Sequence, residues 1–243
     1  MNSNFSLAVV AGTLLLALQT AWPADSGFLT DYSKLEVREG RDLIGRVYHK
    51  PGVMEELAKY NAIMIDQPEV LMAADSKYAG AKPDHLKTLS DTLRQAMIDR
   101  MEAGGYNTVT APGPDVIYMR WAVSDLYLKK KKRGLLAYTP VGMVVHTTAQ
   151  MAIKDLWKKI NIVQLNLEVE FLDAQTGDVL AAMVMKRGHR KAKAQKQELV
   201  SWEELDAVMR AFGERVRCIL DNANLNEPDR IDCSRISVEA TAT

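Results

Sequence analysis

An excess of charge of one sign is missing: the 243 residues carry 31 Lys and Arg against 31 Asp and Glu, a formal net charge of zero. Nucleic-acid binding by counterion release needs a clear cationic surplus, so a dedicated nucleic-acid partner is not expected. Histidine is scarce, with His49, His85, His146 and His189 far apart and in no metal-ligand spacing. A zinc site would need three or four converging ligands. Also missing are a nucleophile elbow, an S-x-x-K motif, a phosphate loop and a dinucleotide fingerprint, so no cofactor is expected and no catalytic residue stands out. Because triads are recognised by geometry rather than order, a hydrolase with an unfamiliar site stays open as an alternative. Long apolar runs are absent as well, and the best of them, Phe5 to Leu18, is too short for a comfortable membrane span.

What is present begins with that run. The first 24 residues hold no Lys, Arg, Asp or Glu, and an apolar core of this length suits a secretory signal peptide, with cleavage after Ala21 or Ala24. A buried N-terminal helix or an uncleaved anchor is the alternative. The expected organisation is signal 1–24, one domain 25–233 and a flexible tail 234–243, in a periplasmic or cell-envelope product. Only two cysteines occur, Cys218 and Cys233, and neither stands at a lipoprotein processing site. Cys218 falls in the last turn of a helix, and Pro228 in the intervening loop can turn the chain back. In an oxidising compartment the two are expected to form a disulfide, with two free thiols, one of them buried as a small apolar group, as the alternative.

Periodicity supplies the elements. Residues 36–59, punctuated by Gly40, Gly45 and Pro51-Gly52, read as turns and short extended pieces. "NAIMID" and "EVLMA", broken by Pro68, read as an interrupted strand that starts the sheet. Leu86, Leu89, Leu93, Met97 and Met101 recur at helical spacing from a cap at Asp84 to Gly104-Gly105. Two strands flank Pro112-Gly113-Pro114, the second setting Ile117, Met119, Trp121 and Val123 on one face and Tyr118, Arg120 and Ser124 on the other. Residues 135–153 are uncharged but too polar to span a membrane and read as a buried connector. Leu165 to Phe171 alternate with Asn166, Glu168 and Glu170 before the turn at Gln175 to Asp178, which predicts a hairpin with one core face and one wet face. On that reading Glu168 and Glu170 are solvated, and Asp173 and Asp178 are turn residues rather than an acid–base pair. A capping box, Ser201 and Glu204, opens a second helix through Leu205, Val208, Phe212, Val216 and Ile219 to about Asn222.

"SGFLTDYSKL" after the signal, "PGPDVIYMRWAVSD", "VEFLDAQTGDVLAA" and the Trp202-led helix, in this order, resemble the domain-of-unknown-function 3313 family of proteobacterial envelope proteins over most of residues 26–222. Typical members look like lipoproteins, and this sequence lacks the lipid-bearing Cys. The resemblance carries no activity. It implies that residues 26–35 join the leader to the domain, with Phe28, Leu29 and Tyr32 packing along it and Asp31 and Ser33 fixing a turn.

Two basic runs remain: Lys129, Lys130, Lys131, Lys132 and Arg133, and the stretch from Lys186 to Lys196 that contains Arg187, Arg190, Lys191 and Lys193. Each follows an expected strand. If the two strands run the same way the cations converge on one patch, suited to anionic lipid headgroups. Solvated loops that protect strand ends are the alternative. The expectation overall is a single α/β (α+β) domain: a mixed or antiparallel sheet with two main helices packed on one face. It acts as an envelope accessory protein that binds an unidentified envelope component, with peripheral binding of anionic surfaces as the second reading.

Overall fold

The computed structural model describes residues 25–39, 44–76, 83–130, 160–188 and 202–236. The elements are β1 (Glu36–Glu39), β2 (Ile44–His49), α1 (Val53–Leu57), β3 (Ala62–Ile65), β4 (Glu69–Met72), α2 (Pro83–Ala103), β5 (Asn107–Val109), β6 (Val116–Lys130), β7 (Ile160–Asp173), β8 (Val179–Gly188) and α3 (Trp202–Ala223). The signal region 1–24, the uncharged connector 135–153 and Ser201 of the expected capping box lie outside the described residues.

The strands form one mixed sheet in the order β1-β2-β8-β7-β6-β3-β5, with β4 pairing β6 beyond β3. From β1 to β6 every pairing is antiparallel, whereas β3 and β4 both run parallel to β6 and β5 runs parallel to β3. The sheet therefore begins earlier than expected, at β1 and β2, in a stretch whose charges conceal its alternation. The strands on either side of Pro112-Gly113-Pro114 are not partners, because β3 lies between them. Pro68 does separate β3 from β4, since proline has no N–H for the ladder.

Helices α2 and α3, together with α1, pack on one face. Leu89, Leu93, Met97 and Met101 from α2 and Leu205, Met209, Phe212, Val216 and Leu220 from α3 meet Ile117, Met119, Trp121, Val123, Leu165, Leu167 and Val169 of the sheet in one core. Burial of such a side chain contributes about 1.5–3 kcal/mol. Asp84 stands inside the first turn of α2 instead of capping it, because Pro83 already occupies a helical position. Proline there loses no hydrogen bond, since the first helical N–H groups have no intrahelical partner.

A bulge in β6 shifts the ladder between Ser124 and Tyr127, where Asp125 adopts a left-handed φ of 48°. Odd-numbered residues face the helices before it, and Leu126 and Leu128 face them after it. Asp is among the few non-glycine residues that tolerate this conformation.

Cys218 and Cys233 are bonded, with Cα atoms 5.8 Å apart. Asn222 fastens the same loop twice: its Nδ2 donates to the Ile231 carbonyl at 2.7 Å and its Oδ1 accepts the Ile231 N–H at 2.8 Å. The tied segment runs past the expected start of the tail at Ser234. Cys233–Arg235 wind a 3-10 turn, and Arg215 Nε donates to the Ile236 carbonyl at 2.7 Å. Closing a loop of this length restricts the unfolded chain. The double substitution Cys218→Ser with Cys233→Ser is expected to lower stability by about 3 kcal/mol, read from urea unfolding, while reduced parent protein should fall to the same value.

Candidate functional site

Residues 25–35 cross the face opposite the helices as a strap. Gly27, at φ +84°, turns the chain where a side chain would be strained. Two residues past Leu29, the Asp31 carboxylate accepts the Ser33 N–H at 2.8 Å and the Ser33 hydroxyl at 2.6 Å, closing a local turn. Between these bends Phe28 and Leu29 are buried against Ala122, Ala182 and Val184, with Tyr32, Leu35, Tyr48, Leu71 and Val179 around them. The packing of Phe28, Leu29 and Tyr32 and the turn at Asp31 and Ser33 match the sequence reading.

The wet-face expectation for the hairpin is wrong. Glu168 and Glu170 are each only 1% exposed, because the strap lies over them. Glu170 accepts the Thr30 N–H at 2.5 Å, the Thr30 hydroxyl at 3.1 Å and Arg120 at 2.9 Å. Arg120 also donates to the Phe28 carbonyl at 3.0 Å and stacks 4.5 Å from the Phe28 ring centroid. Glu168 accepts hydrogen bonds from the hydroxyls of Tyr32 and Ser124. The Tyr32 oxygen in turn accepts the N–H groups of Phe28 and Leu29, both at 3.1 Å, and the Arg46 guanidinium lies 5.7 Å from its ring. Burial, reinforced by the neighbouring Glu168 carboxylate, raises the Tyr32 phenol above its ordinary value. Such a phenol keeps its proton and donates it, which fastens the strap rather than activating a base.

A second cluster sits at the turn between β7 and β8. Asp173 accepts the N–H groups of Gln175 and Thr176, both at 2.9 Å, the Tyr60 hydroxyl at 2.8 Å and Lys59 at 3.2 Å. The Thr176 amide is the main reason its carboxyl lies well below the usual range. Tyr60 is pushed up to about 12, chiefly by burial. Gly177, at φ +77°, completes the turn. Asp173 is thus a turn residue, as expected, with an added tie to the helix side. Asp178 stands 3.9 Å from Lys50.

Between α2 and α3 lies a cleft of 390 Å³ lined by Ala96, Asp99, Arg100, Gly104, Glu214 and Arg217. Arg100 and Arg217 both pair with Glu214, at 3.3 and 2.8 Å. A Cβ at Gly104 would meet Arg217 Cδ at 2.2 Å, and one at Gly213 would meet Arg100 Cγ at 2.7 Å. Glycine at both positions lets the arginines lie across the crossing. Among the described residues no group of three or more His, Cys, Asp or Glu could hold a metal, and no helix is long and apolar enough to cross a membrane.

The basic runs are placed by the sheet. β6 and β8 are both antiparallel to β7, so they run parallel to each other and finish at the same end, Lys130 opposite Ile160 and Gly188 opposite Gln164. Lys129, Lys130, Lys186 and Arg187 are therefore brought to one end of the sheet. Lys131, Lys132, Arg133, Arg190, Lys191 and Lys193 lie outside the described residues.

Two tests follow from these contacts. Tyr32→Phe deletes one donor to a buried carboxylate and one acceptor for two N–H groups, so it is expected to cost about 1–3 kcal/mol in urea unfolding and to speed hydrogen exchange at Phe28 and Leu29. The lowered Asp173 carboxyl gives stability that is complete above its unfolded value, near 3.9, and is lost as pH falls through the lower folded value. Asp173→Asn is therefore expected to be less stable at neutral pH and to show a shallower decline than the parent when acidified below about pH 4, read from urea midpoints across that range.

No curated protein matches the chain. Among solved structures, two dodecamers of PelC from Paraburkholderia phytofirmans are similar. One, a point variant, has 13% identity and a TM-score of 0.35, covering 76% of this chain and 95% of its own. The other has 12% identity and the same TM-score, covering 72% and 95%. Neither value is high enough to establish a shared fold. The family comparison is decisive where these are not, because one model spans the strap, the sheet and most of α3. With its match to the model for a protein of unknown function (DUF3313) over residues 24–216, the chain belongs to that family.

Proposed function

We propose that the protein is an exported accessory component of the bacterial cell envelope that acts by binding another envelope component, not by catalysis. The observation that carries this reading is the bonded pair Cys218 and Cys233. Disulfides persist in oxidising compartments and are rare in the reducing cytosol. An apolar, uncharged stretch from Phe5 to Leu18 in the leader points the same way.

Binding is favoured over catalysis by how the strongest polar groups are used. Glu168, Glu170 and Arg120 hold the strap, Asp173 holds a turn, and Arg100 and Arg217 share one carboxylate between two helices. Each has a structural partner that a catalytic role would have to displace. The strands carrying the basic runs, in contrast, direct their ends to one side of the molecule.

Periplasmic extract supplies the test. Thiol labelling of unreduced, denatured protein is expected to find no reactive thiol, and intact mass is expected to give a chain starting between Trp22 and Asp25. Two reactive thiols on a full-length chain would overturn export. Cross-linking in cells followed by mass spectrometry is expected to capture an envelope component, and failure to capture one would overturn the binding role.

A further inference from the structure

The C-terminal loop is fastened more firmly than its own burial accounts for. Beside the Cys218–Cys233 bond and the two Asn222 contacts to Ile231, the Leu225 N–H donates to the Asn222 carbonyl at 3.1 Å and Arg230 Nε donates to the Leu225 carbonyl at 3.3 Å. Glu227–Asp229 wind a 3-10 turn around Pro228, whose ring fixes its own φ. Yet none of residues 224–233 is buried. Of the three large apolar side chains exposed among the described residues, two stand here, Leu225 at 39% and Ile231 at 64%. Ile231 shows the mismatch most plainly: Asn222 binds both polar groups of its backbone, and its side chain is left in water. Such fastening adds no apolar burial to the core. It does remove the ordering cost that a flexible loop would meet on binding a partner.

We infer that residues 224–232 form a docking loop for a partner protein whose site is apolar and edged by Lys or Arg, with Leu225 and Ile231 as the anchors. This rests on the reading that the chain binds an envelope component, and it gives that component's chemistry. The charge of the loop selects it. Glu227 and Asp229 are exposed on either side of Pro228, and neither carboxylate has a partner among the described residues. The cations nearby are engaged, Arg230 with the Leu225 carbonyl and Arg235 with Asp232 at 3.2 Å. α3 ends beside the loop with no basic residue in its last turn, so no side chain there offsets the negative end of its dipole. A lipid headgroup or nucleic-acid phosphate is repelled by these groups, and a guanidinium or ammonium is drawn to them. A second copy brings the same negative end, and two apolar side chains fall short of the roughly 800 Å² per partner that a standard interface buries. An exposed loop received by a concave site brings all of its residues into contact, with the apolar anchors at the centre and Glu227 and Asp229 at the rim.

Site-specific photo-cross-linking of the full chain in cells tests the inference. With p-benzoylphenylalanine in place of Leu225, a discrete protein adduct is expected, and the same probe in place of Lys87, near the start of α2, should give none. Ile231→Ser should lower the yield of that adduct about tenfold or more. Glu227→Gln with Asp229→Asn should lower it about fivefold. Both variants change exposed side chains, so their urea midpoints should match the parent. If Ile231→Ser fails to fold, Leu225→Ser with the probe in place of Ile231 carries the same expectation. Peptide mapping of the adduct is expected to place Lys or Arg beside the linked residue of the partner. A linked site without either, an adduct that the variants leave unchanged, an equal adduct from position 87, an adduct to lipid or to a second copy, or no adduct would each overturn the docking loop. Where the loop fails but non-selective cross-linking still captures an envelope component, the broader binding role stands. Where both fail, both readings fall.

Discussion

The constraint on which the rest depends is the burial of two carboxylates, Glu168 and Glu170, in the middle of β7. A buried carboxylate is strongly unfavourable unless its oxygens meet donors. Among the described residues the sheet supplies Ser124 and Arg120, and further donors, Tyr32 and both polar hydrogens of Thr30, come from the strap. The path of the strap is set by those oxygens. Its apolar side chains are then delivered onto Ala122, Ala182 and Val184, a strip of small residues that leaves room for Phe28 and Leu29. Polar satisfaction and apolar burial therefore select the same register, and a shift of one residue along the strap would lose both.

A bulge does comparable work at the far end of β6. Fifteen residues of strand pass from the strap zone to the basic end, and strict alternation would send Lys129 into the helix-side core. The left-handed backbone at Asp125 resets the parity, so that Leu126 and Leu128 complete the core while Tyr127 and Lys129 face the other way. β7 compensates on its own side, where Leu165 and Ile162 both reach the helices although their numbers differ in parity. Both long strands thus change faces at one level of the sheet, which keeps the helix side apolar along its whole length.

Much of this was legible in the sequence because it rests on local period. The helix from Leu86 to Met101, the β7–β8 hairpin and the two faces of β6 before its bulge all follow from spacings within a few residues, and the cysteine pair follows from a short loop that Pro228 turns back. The character of the second face was not legible. Alternation in "LNLEVEF" shows that Glu168 and Glu170 share a side, and a polar side reads as a wet one unless something more than 130 residues away covers it. The only clue was in "FLTDY", where two aromatics and a threonine hydroxyl occur together in a segment with no strand or helix of its own. The parallel pairing of β3, β5 and β6 was hidden for the same reason, since register between distant strands leaves no periodic trace. At β1, Glu36 and Val37 are both exposed, so no alternation shows.

The two ends of the domain are fastened by different means, and this separates its faces. The N-terminal strap is held by buried charge on one side of the sheet. The C-terminal loop is held to α3 on the other side by the Cys218–Cys233 bond, the two Asn222 hydrogen bonds and the Arg215 contact to Ile236. On the helix side, the arginines at the crossing of α2 and α3 are paired with Glu214, and at the β7–β8 turn Lys59, Tyr60 and Asp173 are tied to one another. Cations close off those regions internally. At the opposite end of the sheet, the parallel finish of β6 and β8 brings Lys129, Lys130, Lys186 and Arg187 together from two chain segments. Chain topology, rather than any single side chain, is what concentrates that charge at one place.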